Sequence, residues 1–109
     1  MFGKQLKNAK ALLKDTLIET IGPNAYWVFL FGSRAVGTNS ERSDYDIGIL
    51  GKNKLPLREL ARIKNKLEDL PLVVNVDIVD FNRVSEDFKR IALEKIEIWN
   101  KPKIDLPLV

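Results

Sequence analysis

The sequence predicts a mixed α/β (α+β) fold, a small mixed β-sheet with helices packed on one face. Apolar runs rich in β-branched and aromatic residues lie at 25–32, 43–50 and 72–81. Segments with helical apolar spacing separate or flank them, at 4–21, 56–70 and from 85 onward. Strands alternating with helical patterns imply layered sheet and helix. At 109 residues and 45% hydrophobic composition the chain supports one modest core, so residues 1–109 are expected to form a single domain.

Each element has its own warrant. Leu6, Ala9, Leu13, Leu17 and Ile21 recur at helical spacing, and Gly22-Pro23 stops the pattern, which predicts a helix from about Lys4 to Ile21. "AYWVFLFG" follows without alternation and reads as a strand covered on both faces, with Trp27, Phe29 and Phe31 as core rather than a ligand platform. Ser33 to about Gly37 reads as a helical turn, and Thr38 to Arg42 as polar loop. "SDYDIGIL" alternates as a second strand, sending Tyr45, Ile47 and Ile49 to one face and Asp44, Asp46 and Gly48 to the other. Pro56 opens a further helix with Leu57, Leu60, Ile63, Leu67 and Leu70 on one stripe, and Pro71 ends it. "LVVNVDIVDF" is a third strand in which Asp77 and Val79 face one way, Val76, Ile78 and Asp80 the other. Ser85 as N-cap, with Glu86 and Asp87 in the first turn, predicts a last helix through Phe88, Ile91, Lys95 and Ile98. Pro102 and Pro107 leave the tail as an extended arm or edge strand.

Composition removes whole classes of chemistry. The chain has neither cysteine nor histidine, which excludes disulfides, thiolate nucleophiles, Ser-His-Asp catalysis and His- or Cys-held metals. Carboxylates, Lys, Tyr, Ser and backbone groups remain to carry any reaction. The net charge of +3, from 18 basic and 15 acidic residues, is too small and too evenly spread to imply nucleic-acid binding. No apolar run is long enough to span a bilayer, so a cytoplasmic protein without a membrane partner is expected.

Two features carry chemistry. Gly32-Ser33, between a buried strand and a helical turn, offers backbone N–H groups and a hydroxyl to a phosphate, although such a turn is also common without a ligand. Gly32 to Gly37 mimics the start of a P-loop, but Thr38-Asn39 stands where Lys and Ser or Thr are required, so that reading fails. Asp44 and Asp46, at i and i+2, project in parallel and can share hard cations such as Mg²⁺ or Mn²⁺; the bland alternative is a solvated pair. Asp77 tips the balance, because a carboxylate inside a Val-rich strand needs a partner and a neighbouring strand can align it with the other two in a two-metal site. Asp80 competes by proximity, but its parity points it to the opposite face and to a turn or capping role.

Gly32-Ser33, then Asp44-Tyr45-Asp46-Ile47, and Asp77 within "NVDIVD" together resemble the signature of the polymerase-beta-type nucleotidyltransferase superfamily. The run "FGSRAVG…SDYDIGI" is similar to the minimal nucleotidyltransferases, small proteins often paired with a HEPN-domain partner. The resemblance implies a nucleotidyltransferase fold in which Gly32 and Ser33 hold the terminal phosphates of a nucleotide, and Asp44, Asp46 and Asp77 ligate two Mg²⁺ ions. Asp77 would also activate the acceptor hydroxyl. Arg34 either steadies phosphate charge or is a surface ion-pair residue.

The implied activity is metal-dependent transfer of a nucleoside monophosphate, AMP from ATP, to a hydroxyl. By the same resemblance the acceptor is a tyrosine of a HEPN toxin, which makes this chain an antitoxin. The rival is a non-catalytic nucleotide-binding module that neutralises its partner by contact; nucleotidylation of a small molecule ranks below both. A second copy of the chain is a further candidate partner. Larger members of the superfamily add a domain that completes the pocket and binds the acceptor, so the acceptor side here would come from a partner, a second copy, or nowhere.

Overall fold

The computed structural model describes residues 9–38 and 44–108. Its first element, α1 (Ala9–Ile21), buries Ala9, Leu13 and Leu17, an i, i+4 stripe that explains why a Lys-rich segment is helical at all. The expected first turns at residues 4–8 lie outside the described residues. Gly22 ends the helix in a left-handed conformation, φ 88°, with its N–H donating to Ile18 O at 2.8 Å.

The remaining elements are β1 (Trp27–Phe31), α2 (Ser33–Val36), β2 (Tyr45–Leu50), α3 (Leu57–Glu68), β3 (Val76–Asp80), α4 (Glu86–Ala92) and β4 (Glu97–Asn100). The sheet order is β3-β2-β1-β4. β1 runs antiparallel to β2 and β4, whereas β2 and β3 are parallel. A parallel pair needs a crossover, and α3 supplies it.

All residues of β1 are buried, as its unbroken apolar run requires of a strand covered on both faces. On one face Val28, Leu30, Ile47, Ile49 and Ile78 meet Leu13 and Leu17 of α1 and Ile63 and Leu67 of α3. On the other, Trp27, Phe29, Phe31, Leu50 and Phe81 form an aromatic cluster, with Ala92 and Leu93 at the end of α4 and Leu106 and Leu108 of the tail packed against it. The tail is extended and held by Trp27 Nε1, which donates to Leu106 O at 2.7 Å. Phe29 and Phe81 meet edge to face at 4.8 Å. Gly48 lies beside them because a Cβ there would overlap the Phe29 ring and come within 2.8 Å of Phe81.

The last helix departs from expectation. Ser85 Oγ accepts from Phe88 N at 3.1 Å, as an N-cap should, but α4 ends at Ala92, and Ile98 belongs to a strand. The outer edge of β1 lies beneath buried side chains and its backbone groups need partners. Glu97-Ile98-Trp99-Asn100 supplies them, pairing Phe29 with Ile98 and Leu30 with Glu97. Tertiary pairing thus overrides the helical spacing of Phe88, Ile91, Lys95 and Ile98. Leu57 also leaves its expected stripe and is exposed at the start of α3.

Candidate functional site

The sheet register brings the sequence's candidate residues to one end of the sheet. Phe31 pairs with Asp46 across β1 and β2, and Asp46 pairs with Asp77 across β2 and β3. Gly32 follows Phe31 at the end of β1. Tyr45 N donates to Asn75 O at 3.0 Å, fixing the start of β2 against the chain that enters β3. The alternation of β2 then settles the faces: Tyr45 and Ile47 turn into the core beneath α1 and α3, and Asp46 turns to the opposite face. Asp44 is exposed immediately before β2.

Gly32 is required twice over. Its φ of 75° disfavours any side chain, and a Cβ would collide with Asp46 Oδ2 and lie 3.2 Å from Asp46 Cγ. The Gly-Ser turn and the carboxylate strand therefore touch at this one residue. Gly32 O accepts from Ala35 N at 3.1 Å, and Ser33 O accepts from Thr38 N at 3.0 Å, which closes the short α2 turn and places Ser33 at its start. Arg34 extends from that turn with its guanidinium carbon 3.9 Å from the centre of the Tyr45 ring, a cation–π contact between the turn and the strand of the aspartates.

The electrostatics follow from this crowding. Asp46 is partly buried, and desolvation, followed by the negative charges of Asp77 and Asp44, pushes its carboxyl above the ordinary range. Among the described residues no three acidic side chains converge as a ready-formed ion cage. Asp46 and Asp77 are nevertheless strand neighbours, and Asp44 is near enough to act on Asp46 through its charge. Oxygen-only donors of one sign, one of them partly desolvated, suit a hard divalent cation that keeps part of its water shell.

Asp80 stays out of the site. It is 4% exposed on the core side of β3, accepts from Leu55 N at 2.8 Å and Asn82 N at 3.0 Å, and faces Arg83 Nε at 3.5 Å. This is the turn role its parity implied. Beside Gly32 the structure also opens an apolar groove between α2 and α4, walled by Phe31, Val36, Phe88 and Ile91. Sequence reasoning missed it because Phe88 and Ile91 lie at the spacing of a buried helix stripe.

Comparison with known proteins accords with this geometry. Residues 11–104 match the family described as "Polymerase beta, Nucleotidyltransferase". The chain is 30% identical over 86 residues to the probable protein adenylyltransferase MntA of Haemophilus influenzae, covering 79% of this chain and 75% of that protein. A solved putative minimal nucleotidyltransferase superposes with a TM-score of 0.66 at 31% identity, over 84% of this chain and 92% of its own. A toxin–antitoxin crystal structure with AMP-PNP gives a TM-score of 0.63 at 25% identity, over 79% and 71% of the two chains. Such proteins generally use a divalent metal ion. No described helix is long and apolar enough to cross a membrane. With the match spanning nearly the whole chain and the Gly-Ser turn set against the aspartate strand, the chain belongs to the polymerase beta nucleotidyltransferase family.

Proposed function

We propose that this chain transfers AMP from ATP to the tyrosine hydroxyl of a HEPN-domain toxin and so acts as its antitoxin in the cytoplasm. The observation that carries the reading is the pairing of Asp46 with Asp77 on β2 and β3, with the Gly32 turn set directly against the Asp46 carboxylate. The relatives support it, one being a probable protein adenylyltransferase and another a toxin–antitoxin complex with an ATP analogue.

Asp44, Asp46 and Asp77 would hold two Mg²⁺ ions, which supply positive charge to the phosphate oxygens and the leaving group. Gly32 and Ser33 would bind the terminal phosphates through backbone N–H groups and the Ser33 hydroxyl, and Arg34, held on the Tyr45 ring, would add charge there. Asp77, exposed at the edge strand β3, is the carboxylate best placed to meet an acceptor from outside and to take its hydroxyl proton. The acceptor oxygen then bonds to the α-phosphorus, the bond from that phosphorus to the β-bridging oxygen breaks, and pyrophosphate leaves.

The test is transfer of α-labelled AMP by the purified chain to its co-purified partner in Mg²⁺. Asp44→Asn and Asp46→Asn should each abolish labelling. Full labelling by both variants overturns the metal assignment, and silencing of the partner by unlabelled, folded variants favours neutralisation by contact.

A further inference from the structure

The outer edge of β3 has no role in the scheme above beyond carrying Asp77. β3 ends the sheet, and among the described residues no strand pairs with its far side. Asn75 O accepts from Tyr45 N at 3.0 Å and Phe81 N donates to Ile49 O at 2.8 Å, so the odd-numbered residues of β3 turn their backbone groups to β2. The N–H and C=O groups of Val76 and Ile78 therefore point away from the sheet, whereas Asp80 O accepts from Arg83 N at 2.9 Å. Such an edge is a template for one more strand. Alongside it lies a cavity of about 530 Å³ between the end of α3 and the chain entering β3. Leu67, Leu70, Leu72 and Val76 give it an apolar lining continuous with the core, and Lys64 and Glu68 of α3 bring charge to it.

The strand itself selects the occupant. Outward backbone groups at every second residue match an extended peptide, whereas a helix satisfies its own backbone and has nothing to offer them. Alternation along β3 puts Val76 on the α3 side of the sheet, with the cavity, and Asp77 on the other side, paired with Asp46. Asp77 also borders the cavity, so a strand added here runs past both. Its residue opposite Asp77 turns toward the carboxylates, two strand spacings or about 10 Å from Asp46, and the residues on either side of it turn toward the cavity. We infer that the acceptor tyrosine arrives on an extended segment of the partner chain that adds to the edge of β3, with the tyrosine opposite Asp77 and an apolar neighbour in the cavity. The inference rests on the nucleotidyltransferase reading and extends it to how the acceptor docks and which residues flank it.

The deciding measurement is transfer from α-labelled ATP in Mg²⁺ by the full chain to two synthetic peptides of identical composition, each with one tyrosine. In the first, valines flank the tyrosine directly and serines lie two residues away; in the second, the valines and serines are exchanged. The first should be labelled with a kcat/KM about tenfold higher, the scale of burying one apolar side chain. Val76→Pro removes an outward N–H without touching the bonds to β2, and Leu72→Asp puts a charge in the cavity. Each should raise the KM for the first peptide about tenfold and leave calorimetric ATP affinity unchanged, with thermal unfolding to verify folding. Val73→Asn, at a position 82% exposed, should change neither. If Val76→Pro loses ATP affinity, Leu72→Asp and the peptide pair decide. Equal labelling of the two peptides, labelling of neither by a chain that binds ATP, or an unchanged KM in folded Leu72→Asp overturns the docking and leaves the nucleotide reading standing. A dimer in sedimentation that Val76→Pro dissociates gives the edge to a second copy instead. A wild-type chain that does not bind ATP refutes the nucleotide reading and the docking with it.

Discussion

Asp46 and Asp77 occupy paired positions on the parallel strands β2 and β3, and a Cβ on Gly32 would strike the same Asp46 carboxylate. One side chain therefore meets like charge on one side and a close backbone on the other. Such a position is costly for an anion alone and favourable once a cation or a bound phosphate–metal unit shares the space.

Removing that charge should stabilise the metal-free protein. The folded state holds the Asp46 proton more tightly than the unfolded chain does, by desolvation first and then by Asp77 and Asp44. The stabilising contribution is complete below the ordinary value of 3.8 and is lost as pH rises through the raised folded value. In EDTA at neutral pH, Asp46→Asn should unfold at a higher temperature than wild type. With Mg²⁺ and ATP the order should reverse, since ligand at a hundredfold excess over Kd adds about 2.7 kcal/mol to wild type alone. Equal responses of the two proteins to Mg²⁺ and ATP would separate Asp46 from the metal.

Gly32→Ala should be damaging in two separable ways. The positive φ costs about 1–3 kcal/mol for a residue with a side chain, read by urea unfolding. Displacement of the Asp46 carboxylate should abolish AMP transfer even at temperatures where the variant is fully folded. Wild-type transfer by the folded variant would show that the contact between turn and strand is dispensable.

How much of this was legible in the sequence depends on which interactions were local. Alternation along β2 and β3 assigned Asp46 and Asp77 to one face and Asp80 to the other, because period-two geometry is a property of the strand itself. The spacing of Asp44 and Asp46 behind Gly32-Ser33 pointed to the family, which the match over residues 11–104 bears out. Strand β4 was not legible, since Glu97-Ile98-Trp99-Asn100 is held by the edge of β1, some seventy residues away in sequence. The groove failed for the same reason: whether Phe88 and Ile91 are buried or exposed depends on where α4 comes to rest against the aromatic face, which no local spacing encodes.

Asp80 should behave unlike the other strand carboxylates. It neutralises buried donors from Leu55, Asn82 and Arg83 rather than facing a ligand. Asp80→Ala leaves Leu55 N unpaired beneath the sheet and should cost about 1–3 kcal/mol in chemical denaturation. Where folded, the variant should bind Mg²⁺ and ATP with wild-type affinity. A large rise in the ATP dissociation constant of folded Asp80→Ala would place this residue in the site after all.

Glu97 gives a pH response of the opposite sign to Asp46. Desolvation raises its carboxyl, but hydrogen bonds from Lys10 at 2.8 Å and Trp99 at 2.7 Å, with the charges of Lys10 and Lys14, outweigh burial and hold it below the ordinary value of 4.5. Its stabilising contribution is therefore present above that value and is lost as pH falls through the folded one. Lys10 and Glu97 remain 47% and 43% exposed, so solvent screening limits the pair to under about 1 kcal/mol. Lys10→Met should lower stability slightly at pH 7 and less at pH 3, and 1 M salt should shrink the difference. Because the pair joins α1 to β4 at the sheet edge, a loss several times larger and insensitive to salt would mean that Lys10 acts through packing of its aliphatic stem rather than through its charge.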